Sequence, residues 1–299
     1  MSQIAPQITS REEAFRYCER LARTHYENFT VGSWLLPREL RQHVFNIYAY
    51  CRSVDDLGDE VEGDRLAILD QWEEDLRRCY HGVPHHPVLM AVQATIEQFD
   101  IPLQPFVKLV EANRMDQRTK RFSTYSDLLH YCDHSANPVG HMVLYLFGYR
   151  DEERQRLADA TCTALQLANF WQDVSRDLDM GRIYIPLEDM ERFKYTEDDL
   201  QQRRFDGKFR ILMAFEVERA RGLFEEGLEL VDLVTDNLRV DLELFSRGGM
   251  KVLDAIEKME YDVFSRRPTL SRLEKARLLV PVLIKHRWRA LRGRLGNGL

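Results

Sequence analysis

The chain has 299 residues, of which 44% are hydrophobic. This hydrophobic content is enough to bury a sizeable core, so the composition excludes a disordered protein. Its formal net charge of −7 argues against a general nucleic-acid-binding protein. The five cysteines are scattered and form no C-x-x-C pair, which predicts reduced thiols in a cytoplasmic protein. The N-terminus does not resemble a signal peptide, and no apolar run reaches the ~20 residues of a membrane span, so we expect no membrane-spanning segment.

Apolar residues recur with the period of an α-helix along nearly the whole chain, and no segment alternates convincingly with the period of a strand. Ser10 and Glu13 form a capping box that predicts a helix over about 11–28, and a long helix is predicted after Pro37. Further helices are predicted over about 63–80, 87–99, 103–116, 124–134, 136–148, 151–178, 208–236, 239–265 and 271–294, with residues 181–186 as a connection. We therefore expect one all-α domain over residues 1–299, with its core at about 11–294.

An acidic cluster follows an apolar stretch in the first long helix. The sequence YAYCRSVDDLGDE at residues 48–60 places Asp55, Asp56, Asp59 and Glu60 within six positions. On a helix Asp55 faces Asp59, and Asp56 faces Glu60. Each such like-charge pair destabilises an isolated helix by roughly 0.2–0.5 kcal/mol. This repulsion beside a predicted core indicates that something compensates the charge.

A second acidic cluster lies in the helix predicted over 151–178. Gln166, Asn169, Asp173 and Asp177 are spaced by 3, 4 and 4 residues, so they share one face. Two D-x-x-x-D helices in one all-α chain suggest two carboxylate rows that face each other across bound cations. Mg²⁺ suits such a site because it prefers hard oxygen ligands and shares its coordination shell with phosphate oxygens. The alternative is that each acidic run is a solvated helix face, as a single run usually is.

The two clusters resemble those of squalene and phytoene synthases, which join or rearrange prenyl diphosphates head to head. The resemblance extends over about residues 15–290 and is carried by YxxCRxxDDxxD at 48–59 and QxxNxxxDxxxDxxxGRxYxP at 166–186. It implies an isoprenoid synthase helical bundle with a central apolar cavity. It also implies Mg²⁺ ligands at Asp55, Asp59, Asn169, Asp173 and Asp177, the four aspartates being catalytic. Residues implied to line the substrate site are His25, Asn28, Phe29, Tyr48, Arg52, Gln166 and Tyr184, with Arg266 near the diphosphate.

Three departures from the usual family pattern resemble the hydroxysqualene synthases of bacterial hopanoid pathways. Gln172 and Arg176 stand where a basic and an acidic residue are usual, residues 25–29 read HYENF, and residues 135–140 read SANPVG. Enzymes of that branch convert presqualene diphosphate to hydroxysqualene, with water ending the reaction. Ser135 and Asn137 would add polar groups that hold this water.

Two other functions remain open at this stage. The first is a condensing enzyme of the same family that makes presqualene diphosphate, squalene or phytoene. The second is a non-catalytic helical assembly factor, against which the intact aspartates argue. The basic segment at 275–294 is either a terminal core helix or an interfacial helix, so peripheral association with the inner face of the cell membrane is possible. Other hopanoid-pathway enzymes are possible partners.

Overall fold

The computed structural model describes residues 10–25 and 36–271 together with residues 274, 277 and 282. The described residues are helical apart from connections and one isolated parallel bridge between Arg121 and Ile183, so the predicted all-α class is confirmed. The helices are α1 (Arg11–His25), α2 (Arg38–Asp59), α3 (Arg65–His81), α4 (Pro87–Phe99), α5 (Leu103–Arg118), α6 (Tyr125–Ser135), α7 (Asn137–Leu146), α8 (Glu152–Asp179), α9 (Leu187–Arg192), α10 (Glu197–Gln201), α11 (Gly207–Gly227), α12 (Leu230–Leu233) and α13 (Asp236–Lys258).

The helices group into two compact units. The first unit contains the described residues up to Arg118 together with Asp133–Gln155. The second unit contains Thr119–Cys132 and the described residues from Arg156 onward. Each unit is described below by itself, and the single domain over residues 1–299 stays a prediction.

The core of the first unit surrounds α2. Tyr50 of this helix is fully buried, and its hydroxyl donates a hydrogen bond of 2.8 Å to the Phe106 carbonyl oxygen on α5. One turn earlier, the buried Asn46 donates to the Ala91 carbonyl oxygen and the Thr95 hydroxyl on α4, each at 3.0 Å. These buried polar contacts fix the rotation of α2, because any other rotation would leave them unpaired in the core. The first acidic cluster then follows on the C-terminal part of the same helix.

The second unit is built on α8, α11 and α13. Trp171, Phe209 and Phe224 are fully buried here, one on α8 and two on α11. Gly227, the last residue of α11, lies directly against Thr161 of α8. A Cβ atom at Gly227 would be 2.9 Å from the Thr161 backbone nitrogen and would also clash with its hydroxyl. The two helices can approach this closely only because glycine has no side chain.

Two of the predicted long helices are shorter in the structure. The helix predicted over 208–236 ends at Gly227, and a separate turn of helix, α12, follows. The helix predicted over 239–265 ends at Lys258, because Glu260 and Tyr261 adopt left-handed backbone angles with φ of 52° and 67°. These conformations cannot continue a right-handed helix.

Two further expectations concern segments at the margins of the description. The N-terminal helix predicted over 11–28 is described as far as His25, and residues 26–28 lie outside the described part. The C-terminal helix predicted over 271–294, with its basic face, also lies largely outside it, since only residues 271, 274, 277 and 282 are described there. Among the helices that are described, none is both long and apolar enough to cross a bilayer.

Two glycines of α11 provide a matched test of the contact between α8 and α11. Gly227→Ala should lower the melting temperature, since overpacking against a backbone atom costs about 1–3 kcal/mol. Gly222→Ala should raise it, because nothing lies within 4 Å of a Cβ there, and alanine is about 0.8–1.0 kcal/mol better than glycine inside a helix. Thermal unfolding followed by circular dichroism measures both, and equal shifts in the two variants would contradict the described contact.

Candidate active site

The first aspartate row, Asp55 and Asp59, lies in the last two turns of α2, with Asp59 as its final residue. The Asp55 side chain is exposed to solvent, but neighbouring protein atoms partly desolvate its carboxyl group. These surroundings, with a smaller contribution from the charge of Asp59, raise the pKa of the Asp55 carboxyl to about 6. The surroundings of Asp55 therefore disfavour its ionised form, and a bound cation would favour that form.

The side chain of Asn113 on α5 supports Asp55. Its amide nitrogen donates to Asp55 Oδ1 at 3.4 Å and to the Leu109 carbonyl oxygen at 3.1 Å. Gly58 allows this approach, because a Cβ atom at that position would lie 3.0 Å from Asn113 Cγ. Gln117, one turn further along α5, donates to the Gly58 carbonyl oxygen at 3.0 Å. Neither α5 residue was predicted from the sequence, although Asn113 continues the apolar helix face of Phe106 and Leu109, and a polar residue on such a face is a usable signal.

Arg52, a predicted substrate residue, is engaged by acids of its own helix. Its guanidinium lies 2.5 Å from Asp56 and 2.8 Å from Glu60. Asp56 and Glu60 are the second like-charge pair of the acidic cluster, so Arg52 compensates that pair. The charge of Arg52 also favours the ionised form of Asp55. Tyr48, one turn before Arg52, is half-buried on the same helix.

The second row lies on α8. Gln166 and Asp173 are half-buried, Asn169 is exposed and Asp177 is only 9% exposed, so accessibility varies along the row. Burial, together with the charge of Asp173, raises the pKa of the Asp177 carboxyl to about 7, although Arg182 and Arg176 oppose this shift. Both rows thus contain one aspartate that holds its proton unusually tightly.

Arg267 makes the principal described contact with Asp173. Its Nε donates to Asp173 Oδ1 at 2.5 Å and its Nη2 to Oδ2 at 2.8 Å, which is a bidentate pair. The same Nη2 donates to Gln172 Oε1 at 2.8 Å. The resemblance suggested Arg266 for the neighbourhood of the diphosphate. The structure brings Arg267 to the second row, while Arg266 is exposed.

Tyr184, also predicted to line the substrate site, belongs to an aromatic cluster of the second unit. Its ring stacks on Phe170 of α8 with centroids 3.7 Å apart and an angle of 6° between the planes. Phe122 and Tyr131 lie within 6.0 Å of it, and Tyr184 is 9% exposed. The segment that carries Tyr184 is held by the bridge between Arg121 and Ile183.

The remaining predicted residues lie near the N-terminus or at the junction of α6 and α7. Ser135 is the last residue of α6, and its hydroxyl oxygen is buried without a hydrogen-bond partner among the described residues. Asn137, the first residue of α7, is 6% exposed. His25 ends α1, but its side chain, Asn28 and Phe29 lie outside the described residues.

The two aspartate rows belong to different units, and each is described within its own unit. Within the described part of the chain, no three His, Cys, Asp or Glu side chains are already grouped as a metal site. The Mg²⁺ ligands and the pairing of the two rows therefore stay predictions.

The raised pKa of Asp177 predicts a pH-dependent cost of folding. The unfolded side chain ionises near pH 3.8 and the folded one near 7, so stability is lost as the pH rises between these values. Asp177→Asn, which removes the charge, should therefore raise the melting temperature in EDTA more at pH 8 than at pH 5. Asp179→Asn is the control, because that exposed carboxylate already pairs with Arg203 at 2.5 Å. A gain for Asp177→Asn that does not depend on pH would contradict the described burial.

Comparison with known proteins supports the predicted family. The squalene/phytoene synthase family model matches residues 22–274. A phytoene synthase from Arthrospira platensis is 32% identical over 273 residues, which cover 86% of this chain and 88% of that protein. A 15-cis-phytoene synthase from Synechocystis sp. is 33% identical over 280 residues and covers 88% and 82%.

Solved structures agree with these sequence matches. A squalene synthase, HpnC, from Alicyclobacillus acidocaldarius is 50% identical with a TM-score of 0.82, covering 84% of this chain and 95% of that one. A dehydrosqualene synthase is 30% identical with a TM-score of 0.84, covering 92% and 97%. The names of these relatives support head-to-head condensation better than hydroxysqualene synthesis. The likeness confirms the isoprenoid synthase helical fold, and the chain belongs to the squalene/phytoene synthase family.

Proposed function

We propose that this protein is a Mg²⁺-dependent enzyme that ionises a prenyl diphosphate, and more narrowly a hydroxysqualene synthase acting on presqualene diphosphate. The observation that carries the general proposal is the pair of aspartate rows, Asp55 with Asp59 and Asp173 with Asp177, in a chain of this family. A scaffold protein would gain nothing from two rows whose repulsion opposes folding, so a non-catalytic assembly role is disfavoured.

The residues of both rows fit a hard divalent cation. Each row offers carboxylate oxygens one helical turn apart, and in each row desolvation by the surrounding protein has raised the pKa of one carboxyl. A bound cation removes that penalty, because it neutralises the ionised carboxylates. Asp55, Asp59, Asn169, Asp173 and Asp177 would hold Mg²⁺, which supplies neutralisation of the charge on the departing diphosphate.

The side chains around the rows prepare them for this task. Asn113 orients Asp55 through its amide, and the Gln117 contact with Gly58 fixes the end of α2. Arg52 is held in place by Asp56 and Glu60, so its positive charge is already positioned when an anionic substrate arrives. Preorganised charges of this kind stabilise a leaving group without reorganisation during the reaction.

The narrower proposal depends on the positions at which this chain departs from its relatives. An enzyme that only ionises presqualene diphosphate handles one diphosphate at a time, so a second basic diphosphate contact at position 172 is not needed. The buried hydroxyl of Ser135 has no hydrogen-bond partner among the described residues, so it can bond to a water molecule. Such a water, held beside the carbocation, would end the reaction as an alcohol.

Condensation of two prenyl diphosphates is the second candidate. It is favoured by the relatives named as phytoene, squalene and dehydrosqualene synthases. Product analysis separates the two functions. The purified protein is incubated with Mg²⁺ and either presqualene, farnesyl or geranylgeranyl diphosphate, and the products are identified by mass spectrometry. Hydroxysqualene from presqualene diphosphate supports the narrower proposal, whereas products from farnesyl or geranylgeranyl diphosphate alone support condensation.

Neutralising either row should abolish turnover. Asp55→Asn and Asp173→Asn each remove one predicted Mg²⁺ ligand from the helix surface, so helical content measured by circular dichroism should remain. Without Mg²⁺, Asp55→Asn should hold or raise the melting temperature, whereas Asp173→Asn should not raise it, since it also loses the ion pair with Arg267. Asp179→Asn removes an exposed acid of the same α8 helix and should retain turnover. Near wild-type turnover in both row variants would refute the proposal.

Removing the Ser135 hydroxyl should change the product rather than the rate of ionisation. In Ser135→Ala, and more strongly when Asn137 is replaced as well, diphosphate release from presqualene diphosphate should continue at a comparable rate. Hydroxysqualene should fall as a share of the products, because the carbocation loses a proton when no water is oriented. Ser246→Ala, which removes another buried, unpartnered hydroxyl, should leave the product ratio unchanged. An unchanged ratio in the Ser135 variants would show that other groups hold the water.

A further inference from the structure

The contact between Arg267 and Asp173 occupies the carboxylate that the proposed function assigns to Mg²⁺. Both oxygens of Asp173 accept hydrogen bonds from the guanidinium, at 2.5 and 2.8 Å. The arginine side chain is 33% exposed and the aspartate 23%, so solvent screens the pair only partly. A Mg²⁺ ion binds carboxylate oxygens at about 2.0–2.1 Å and tolerates little distortion. The guanidinium thus occupies one acceptor position on each oxygen of Asp173, so a Mg²⁺ ion at this carboxylate competes with Arg267 for the same negative charge.

Gln172 forms hydrogen bonds with two consecutive residues, Arg267 and Pro268. Its amide oxygen accepts from Arg267 Nη2 at 2.8 Å, and its amide nitrogen donates to the Pro268 carbonyl oxygen. A glutamine can make both contacts because its amide has an acceptor as well as donors. A basic side chain, which is usual at this position in squalene and phytoene synthases, has no acceptor and would repel Arg267. The replacement at position 172 is thus matched to the arginine at position 267, 95 residues later.

The chain between α13 and Pro268 is short and is ordered at both ends. The Asp262 carboxylate accepts hydrogen bonds from the backbone nitrogens of Phe264 and Ser265, which form a turn directly after the helix. Arg267 then attaches the following residues to α8. Among the hydrogen bonds of the described residues, releasing the guanidinium would leave this segment held to α8 by the bond between the Gln172 amide and the Pro268 carbonyl oxygen.

We propose that Arg267 is the internal counter-ion of Asp173 and that Mg²⁺ binding displaces it, which loosens the attachment of residues 265–268 to α8 while the Gln172 contact remains. This inference rests on the proposed function, since it takes Asp173 to be a metal ligand. The arginine keeps the second row compensated in the metal-free protein, and its release makes the conformation of the chain after α13 sensitive to metal.

Two measurements on the full chain test whether Mg²⁺ displaces Arg267 from Asp173. Isothermal titration calorimetry measures the Kd for Mg²⁺ without substrate, and hydrogen–deuterium exchange of the peptide covering residues 259–268 is followed in EDTA and in saturating Mg²⁺. In Arg267→Gln the Kd should fall roughly three- to tenfold, as expected from removing one partly screened competing ion pair. Arg267→Lys, which cannot form the bidentate pair, should give an intermediate Kd. Arg266→Gln removes the adjacent positive charge and should leave the Kd and the exchange of the segment unchanged.

In the wild-type protein, Mg²⁺ should speed exchange in the 259–268 peptide, whereas in Arg267→Gln exchange should be fast already in EDTA and insensitive to the metal. Suppose that Mg²⁺ binds, but that hydrogen exchange in the segment does not change and the Arg267 variants keep the wild-type Kd. The displacement of Arg267 is then refuted, while the proposed function stands. If no Mg²⁺ binds in the presence or absence of inorganic diphosphate, both are refuted. Equal changes in Kd for the Arg266 and Arg267 variants would mean that any nearby positive charge weakens Mg²⁺ binding. That result would also refute a specific displacement of Arg267.

Discussion

Repulsion among clustered carboxylates is the constraint on which the rest of this structure depends. Both rows lie toward the C-terminal end of a helix, where the helix dipole already disfavours negative charge. Asp59 is the last residue of α2, and Asp177 lies two residues before the end of α8. A chain selected for stability alone would place basic residues at these positions. Their acidity is therefore best explained by a ligand that makes the unfavourable charge useful.

The metal-free protein compensates this charge by two means. Arginines pair with some of the acids, Arg52 with Asp56 and Glu60 in the first unit and Arg267 with Asp173 in the second. Protons compensate others, since burial raises the pKa of Asp177 to about 7. Both means are reversible, so a cation of higher charge can replace them when it arrives with an anionic substrate. The same few acidic residues therefore meet two opposing requirements: folding requires that their charge be neutralised, and cation binding requires that it be available.

Sequence reasoning could predict which residues share a helix face, because a period of 3.6 is local information. It therefore predicted that Asp55 lies above Asp59 and that Asp173 lies above Asp177. It could not predict what each face meets. The Asn113 contact with Asp55 and the Arg267 contact with Asp173 join residues 58 and 94 positions apart, and no local pattern encodes such pairs.

Helix ends were misjudged for a related reason. The predicted helix over 208–236 shows good periodicity, yet it ends at Gly227, where the backbone meets Thr161 of another helix. Gly227 is a weak helix former and lies against another helix, so a local signal and a long-range contact coincide at this helix end. The functional departure at position 172 was visible in the sequence as a missing basic residue. Its structural role depends on Arg267, 95 residues later in the chain, and no local pattern indicates that partner.

The central claim is that diphosphate binding depends on Mg²⁺ and on the carboxylates of both aspartate rows, and a double-mutant cycle tests it most directly. The affinity for inorganic diphosphate is measured by calorimetry, in Mg²⁺ and in EDTA, for the wild type, Asp55→Asn, Asp173→Asn and the double variant. If both rows are required, each single variant loses most of the Mg²⁺-dependent affinity and the double variant loses little more, because the second change removes a contribution already lost. Losses that simply add, or diphosphate binding that does not depend on Mg²⁺, would contradict the account.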